Sequence, residues 1–455
     1  MQSPMDTSST KPPTLSFGAL TGYGVAAMPV QFMSVLVVLM YMKYALDSLG
    51  ASASAVGLIF LVAKLWDAVS DPGVGHLSDR TETRLGRRRI WMFASAPMLA
   101  GFGVMLWVPP EGLSDFWLSA WIAVSVVGFY TAYTCFEVPH MALGAEITLD
   151  RQQRNQIFGV RQITRTLGML AAGTGGVYLV QQGVSAATWM AIGVGVASLV
   201  LIVGGISLMP PESPEFMGRG GDNPFRAVRD VAANPHARLL LFVFFIESVG
   251  SGGIGALTPF VVQYVMKMPE ILPYMLGVYM LSALLAVPLW VWLGNFFEKR
   301  HLWLYAMVQG GVGYSLIFWV GEGSWLLMAL SSLLSGTAGA CGNTLGQALK
   351  AEVIDFDEYL TNERKEGAYF AGWSFMSKFA GGIMIGLVGL SLDWAGYVDN
   401  AAEQSETVKQ TMIFLMGGVP MIGFGIGSLA FTRFRLSEAE HARILAELEE
   451  RKSAH

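Results

Sequence analysis

The chain has 455 residues, of which 53% are hydrophobic and only 14% charged, with a mean hydropathy of +0.48 and a formal net charge of −5. A soluble domain carries about 25% charged residues, so composition excludes an ordinary water-soluble protein; no nucleic-acid partner is expected. A membrane-spanning helix needs about 20 apolar residues, and a chain of this length accommodates about twelve.

The segment from Met1 to Lys11 is polar and has no apolar core, so it does not read as a cleaved signal peptide. Insertion is expected to use the first spanning helix. Apolar spans follow near 17–42, 53–75, 90–109, 116–145, 156–181 and 186–209. The stretch 210–238 holds Pro211, Pro214, Gly218, Gly220, Gly221 and Pro224 and reads as a linker. Six further spans lie near 239–266, 273–297, 302–321, 324–349, 368–394 and 411–432. The expected organisation is a tail at 1–16, a six-helix bundle at 17–209, the linker, a second six-helix bundle at 239–434 and a tail at 435–455.

Basic residues set the orientation. With both termini in the cytoplasm, Arg80, Arg84, Arg87, Arg88, Arg89, Arg151, Arg154, Arg219, Arg226, Arg229, Arg238, Lys299, Arg300, Arg364 and Lys365 all lie inside. The opposite loops keep Lys43, Lys267 and Lys409. The two cysteines, Cys135 and Cys341, fall in apolar stretches and give neither a disulfide framework nor metal-ligand spacing.

An internal repeat is visible at an offset of 206 residues. Residues 131–147 and 337–353 share seven of seventeen positions: Thr131/Thr337, Ala132/Ala338, Cys135/Cys341, Ala142/Ala348, Leu143/Leu349, Ala145/Ala351 and Glu146/Glu352. Span 4 is thereby matched to span 10. Two parallel six-helix halves are the arrangement of major facilitator superfamily transporters. The expected fold is therefore an all-α membrane protein with twelve transmembrane helices in two six-helix bundles.

A charge at the centre of a spanning helix costs about 2.5–3.5 kcal/mol on insertion scales, so such residues mark candidate sites. In span 2, Asp67 and Asp71 are four apart and share one helix face, with Ser70 beside Asp71 and Lys64 one turn before Asp67. Two carboxylates and a hydroxyl supply hard ligands for a small cation, or the carboxylates share a proton. The plainer role is neutralisation of an aspartate by Lys64. In span 4, Glu137 follows Thr134 by one turn, and Pro139 frees a backbone carbonyl nearby. Asn343 stands at the repeat position of Glu137, so the charge is specialised in the N-terminal half. His140 could bind solute, shuttle protons or play a structural role. Arg161 of span 5 either snorkels to the interface or reaches Glu137, whereas Arg165 reads as structural. Trp373 of span 11 is a further candidate solute contact. Lys378, a lone ammonium in that span, could form a cross-half pair with the acids of span 2.

After span 2, Asp79 can cap or pair across the half-interface. After span 10, Glu352, Asp355 and Glu358 could lock against basic partners such as Arg154 and Arg364 as gating pairs. The tail from Leu436 reads as a polar amphipathic helix. No nucleophile–base pairing stands out, so no enzymatic activity and no resident cofactor are expected.

These residues together resemble the glycoside–pentoside–hexuronide:cation symporter family. The W-D-A-x-x-D-P of Trp66 to Pro72 is similar to its span-2 cation motif, and D-R-T-x-x-R-x-G-R-R-R (Asp79 to Arg89) to its following loop. L-D-R-x-x-R-x-Q from Leu149 and R-x-E from Arg364, with Lys378 fourteen residues on, are similar as well. The resemblance implies cation:solute symport by alternating access. Asp67 and Asp71 would be the cation carboxylates, Ser70 and Thr134 auxiliary ligands, Glu137 and Arg161 sugar-contacting positions, and Lys378 the coupling lysine. It implies Na⁺ or H⁺ as the transported cation, a sugar or glycoside as solute, and a monomer in a bacterial inner membrane. Ala26 stands where the family's sugar pattern has an acid, and Met141 where it has a tryptophan. These departures point away from a galactoside. A lysolipid or other amphiphile, carried in or exported, is the alternative.

Overall fold

A computed structural model describes residues 15–148, 151–210, 212, 231, 234–362 and 366–453. Most of the expected linker, together with Arg364 and the side chain of Arg154, lies outside the described residues. Among the described residues the chain is helical throughout, with no strand.

The helices, in chain order, are α1 (Phe17–Asp47), α2 (Ala53–Arg80), α3 (Arg89–Trp107) and α4 (Asp115–Glu146). Then come α5 (Arg151–Ala171, continued by Ala172–Gly176 and Val177–Gln181) and α6 (Val184–Leu208). The second half holds α7 (Pro235–Val265), α8 (Pro269–Leu293), α9 (Lys299–Ser315), α10 (Trp325–Thr361), α11 (Glu366–Trp394) and α12 (Glu406–Phe431). A tail helix, α13 (Glu438–Ser453), follows. Among the described residues, ten of these helices are long and apolar enough to cross a membrane. The remaining two at span positions, α5 and α9, stand where spans 5 and 9 are expected.

Local sequence explains the helix starts. Ser16, Ser52 and Ser405 accept amide hydrogens of the first turns of α1, α2 and α12. Asn234 accepts two amides ahead of Pro235, the first residue of α7. Asn362 ends α10 in the left-handed conformation at φ +55°. Helices α2 and α10 outrun the expected apolar spans, because the backbone ladder continues past the lipid into polar residues such as Asp79 and Glu352.

The packing scheme repeats between the halves. In the first, α1 packs on α5 and α6, α3 on α4 and α6, and α2 on α4. In the second, α7 packs on α11 and α12, α9 on α10 and α12, and α8 on α10. Adding six to each helix number of the first scheme gives the second. The matching of span 4 to span 10 therefore extends to all six helix positions.

The most extensive contact between halves is α2 on α11. Small residues permit it: a Cβ on Gly57 would lie 2.9 Å from Gly389 Cα, and one on Gly382 would lie 2.8 Å from Lys64 Cβ. Two further contacts fall toward the face opposite the termini, here called the far face. There the π-helical turn Val37–Tyr41 of α1 meets Ile254–Phe260 of α7, and the π turn Ala172–Gly176 of α5 meets α8. Between the halves lies a cavity of about 400 Å³, lined by residues such as Val38, Thr258, Leu276 and Ser332.

Candidate cation and solute sites

Asp67 and Asp71 lie on the face of α2 that meets α4 and α11. Asp67 is 1% exposed. Thr134 of α4 places its hydroxyl 2.9 Å from Asp67 Oδ1 and 3.1 Å from Asp71 Oδ1. Its single proton serves one carboxylate at a time. Lys378 crosses from the other half and sets its ammonium 3.0 Å from Asp67 Oδ1 and 2.5 Å from Asp71 Oδ2. A carboxylate pair held this closely repels itself, and the shared ammonium offsets that repulsion.

Two members of the expected set stand differently. Ser70 donates to the carbonyl of Asp67 at 3.2 Å, a bond within its own helix. Lys64 holds its ammonium 4.0 Å from the centre of the Tyr130 ring, a cation–π contact. Of the two lysines that could offset the aspartates, Lys378, read as a cross-half partner, is the one in contact with them, and Lys64, the plainer alternative, is not.

The second cluster joins α1, α4 and α5. Glu137 Oε1 accepts from Arg161 Nη2 at 2.5 Å and from Arg165 Nη1 at 2.7 Å. Arg165, expected to be structural at the interface, is turned inward because it lies four residues from Arg161 on the same face. His140 has both ring nitrogens engaged. Nδ1 accepts from Arg161 Nε at 3.2 Å and Nε2 donates to the carbonyl of Tyr23 at 2.9 Å. Its ring stacks on Tyr23, with centroids 4.1 Å apart. The Tyr23 hydroxyl returns a bond to the carbonyl of His140 at 2.9 Å. His140 is fully buried. Both ring nitrogens are thus committed to protein partners, one of them Arg161. Glu137 keeps partial exposure and, with its two arginines, presents a net positive group.

Trp373 is packed near the Lys350 ammonium, 5.2 Å from its ring centre, and is 3% exposed.

Of the pairs expected to lock the halves together, those with Arg154 and Arg364 lie outside the described residues, and Asp79 and Glu352 bond within their own halves. Asp79 pairs with Arg88 at 2.6 Å. Glu146 holds Arg87 at 2.8 Å and Arg88 at 2.7 Å, while Glu352 holds Lys299 at 2.6 Å. Asp355 meets His441 of α13 at 2.9 Å. The repeat-related acids Glu146 and Glu352 thus each bind a base at the start of the third helix of their half. The same symmetry extends to capping. Glu212 accepts the amides of Arg87, Arg88 and Arg89 at 3.0, 3.0 and 2.9 Å, and Glu438 accepts that of Lys299 at 3.2 Å. A carboxylate at a helix N-terminus satisfies free amides and the helix dipole together. These contacts stiffen each half; Asp79 and Glu352 pair here within their own halves rather than across them.

A lock between halves does exist, at the far face, among residues the sequence pattern did not single out. Asp47 at the end of α1 accepts from Tyr397 at 2.5 Å and from Tyr264 at 3.1 Å, both of the second half. Lys43 pairs with Asp47 and lies 4.9 Å from the Tyr264 ring centre. Asn400 donates to the Asp47 carbonyl, and Gln181 to that of Pro269 at 3.2 Å. No spacing rule links residues some 350 positions apart. Glu247 was accessible to the criterion of charges within apolar spans, since it lies inside span 7. Lys350 falls one residue beyond the apolar limit of span 10.

Comparison with known proteins gives the family and the fold. The family model "MFS/sugar transport protein" matches residues 22–438. The isoprimeverose transporter of Lactiplantibacillus pentosus is 27% identical over 418 residues, covering 89% of this chain and 85% of that protein. The sodium-dependent lysophosphatidylcholine symporter 1-B of Danio rerio is 24% identical, covering 91% and 86%. Among solved structures, a point mutant of the nucleoside transporter NupG has a TM-score of 0.68 at 13% identity, covering 92% and 99%. A D-xylose-proton symporter has a TM-score of 0.66 at 13% identity, covering 92% and 98%. These two likenesses concern the fold. The helix scheme, the buried charges and the match along nearly the whole chain converge: the chain belongs to the MFS/sugar transport protein family, whose members are multi-pass membrane transporters.

Proposed function

We propose that the chain is a cation:solute symporter working by alternating access, with Asp67, Asp71 and Thr134 holding the cation. The observation that carries this reading is the position of Lys378. Its ammonium occupies the space between the carboxylates that Na⁺ or H⁺ would take. A cation and Lys378 then compete for the same oxygens. Cation binding releases the lysine and loosens the α2–α11 tie, so ion occupancy is coupled to the relation between halves. Solute binding and cation binding strengthen each other by equal factors.

Glu137, Arg161 and Arg165 form the polar solute site in the N-terminal half. A sugar or glycoside is the leading solute, supported by the isoprimeverose relative and by the density of hydrogen-bonding groups. A lysolipid-like amphiphile is the second reading. It is supported by the lysophosphatidylcholine relatives and by the 400 Å³ cavity, where Val35, Val38, Leu39, Met275, Leu276 and Met328 would suit an apolar tail. The arginine-rich face carrying the termini is assigned to the cytoplasm of a bacterial inner membrane. The monomer is the working unit, because one chain supplies every group named.

The test is uptake into proteoliposomes under imposed sodium or proton gradients, with isoprimeverose and lysophosphatidylcholine as trial solutes. Wild type should accumulate solute under one of the gradients, and Asp71→Asn should not. Retention of gradient-driven uptake by Asp71→Asn refutes the cation-site assignment.

A further inference from the structure

The second half contains polar groups that the cation and solute sites described above do not use. Glu247 of α7 has its Oε1 buried with no hydrogen-bond partner. The indole nitrogen of Trp373 on α11 is likewise buried and unpartnered. Lys350 of α10 is 3% exposed. Among the described residues it has no carboxylate in contact, and its ammonium rests 4.0 Å from the Phe244 ring centre, one turn from Glu247. Buried polar groups are nearly always bonded, so the two unbonded groups, beside an ammonium held by aromatic faces, call for a partner.

Their placement is on the termini side of the central cavity. Glu247 lies one turn before the cavity-lining Ser251, after which the helix is interrupted by a turn at Gly252–Gly253. Lys350 follows the cavity-lining Ser332 by eighteen residues on the same face of α10, roughly 27 Å along the helix. The patch therefore lies beyond the cavity, toward the face carrying the termini. It lies in the half opposite Glu137 and Arg161.

We propose that Glu247, Lys350 and Trp373 form a second solute subsite, contributed by the C-terminal half, that takes a hydroxyl-rich glycosyl group. A hydroxyl donates and accepts at one atom. A single sugar ring can donate to Glu247 while accepting from Lys350 and the indole N–H. A solute held by both halves at once also ties their relative position to occupancy. This rests on the transporter reading but concerns groups separate from the cation carboxylates.

The test is equilibrium binding to the purified full chain in nanodiscs, with isoprimeverose, D-xylose and lysophosphatidylcholine as probes, each with and without sodium. Sodium-induced thermal stabilisation without solute is read in parallel. Glu247→Gln and Lys350→Met should each weaken isoprimeverose binding about tenfold or more, as removing one partner of a charged hydrogen bond does. Both should leave the sodium response intact. Trp373→Phe, which preserves packing, should weaken it less, and Lys350→Arg should restore much of it. Wild-type affinity in Glu247→Gln and Lys350→Met overturns the subsite. Binding of lysophosphatidylcholine alone, or of no probe, overturns the glycosyl assignment. Loss of the sodium response in wild type counts against the symport reading instead, so the two failures are distinguishable.

Discussion

The two halves of the molecule pack their six helices by the same scheme, yet they arrange buried charge in different ways. In the N-terminal half the interior charges are tied down: Glu137 by two arginines, and Asp67 and Asp71 by Thr134 and the visiting Lys378. In the C-terminal half Glu247 and Lys350 lie near one another without contact. The repeat alignment shows the same divergence, with Asn343 opposite Glu137 and Lys350 opposite Gly144. Packing is conserved between halves because small residues and helix crossings dictate it. Charge is free to diverge wherever a side chain points into the cavity. Ion chemistry thus collects in one half, with a single lysine reaching across from the other.

The sharpest way to break this comparison is to remove the crossing lysine. Lys378→Met leaves Asp67 and Asp71 without their counter-charge, and breaking a buried pair costs about 3–5 kcal/mol. The apo protein should lose thermal stability and regain it on sodium addition, because the ion replaces the ammonium. Solute-coupled uptake should vanish. A variant whose stability does not depend on sodium would show that the carboxylates do not hold the ion.

A second comparison sets Arg161 against Arg165. Arg161 bonds both Glu137 and His140, whereas Arg165 bonds Glu137. Arg161→Ala should reduce solute affinity about 100-fold and Arg165→Ala about tenfold, following the roughly 1.5–3 kcal/mol of a charged hydrogen bond. Equal losses, measured by binding, would show that the bond to His140 does not set Arg161 apart.

The third concerns the far-face lock. Tyr397→Phe deletes one hydrogen bond to the Asp47 carboxylate, about 1.5–3 kcal/mol, and should raise the population open at the far face about tenfold. Labelling rates of cysteines placed along the cavity lining, such as Ser34→Cys, read this from the far side. Unchanged rates would mean that the α1–α7 packing alone holds the face shut.

The smallest effect is expected within one half. Asp79→Asn removes one of the two acids paired with Arg88, at a partly exposed position. It should cost no more than about 1 kcal/mol of stability and leave uptake rates nearly unchanged. A large transport defect would assign Asp79 a gating role beyond its pair with Arg88.

The sequence by itself determined the helical membrane architecture, the division into halves and the pairing of span 4 with span 10. Apolar run length and the spacing of repeated residues are local properties, readable along one strand of text. It also marked Asp67, Asp71, Glu137, Arg161 and Lys378, because a charge inside an apolar run is costly wherever the chain then folds. Partner choice was decided only by the tertiary structure. Lys378 rather than Lys64 faces the aspartates, Arg165 turns inward, His140 is enclosed by Tyr23, and Glu352 binds Lys299 within its own half. The Asp47 lock joins residues from opposite halves through aromatic side chains that look like ordinary interface tyrosines in the sequence. The physical reason is the same in each case: a charge has a fixed cost on its own helix, but what offsets it depends on which other helix comes within about 3 Å.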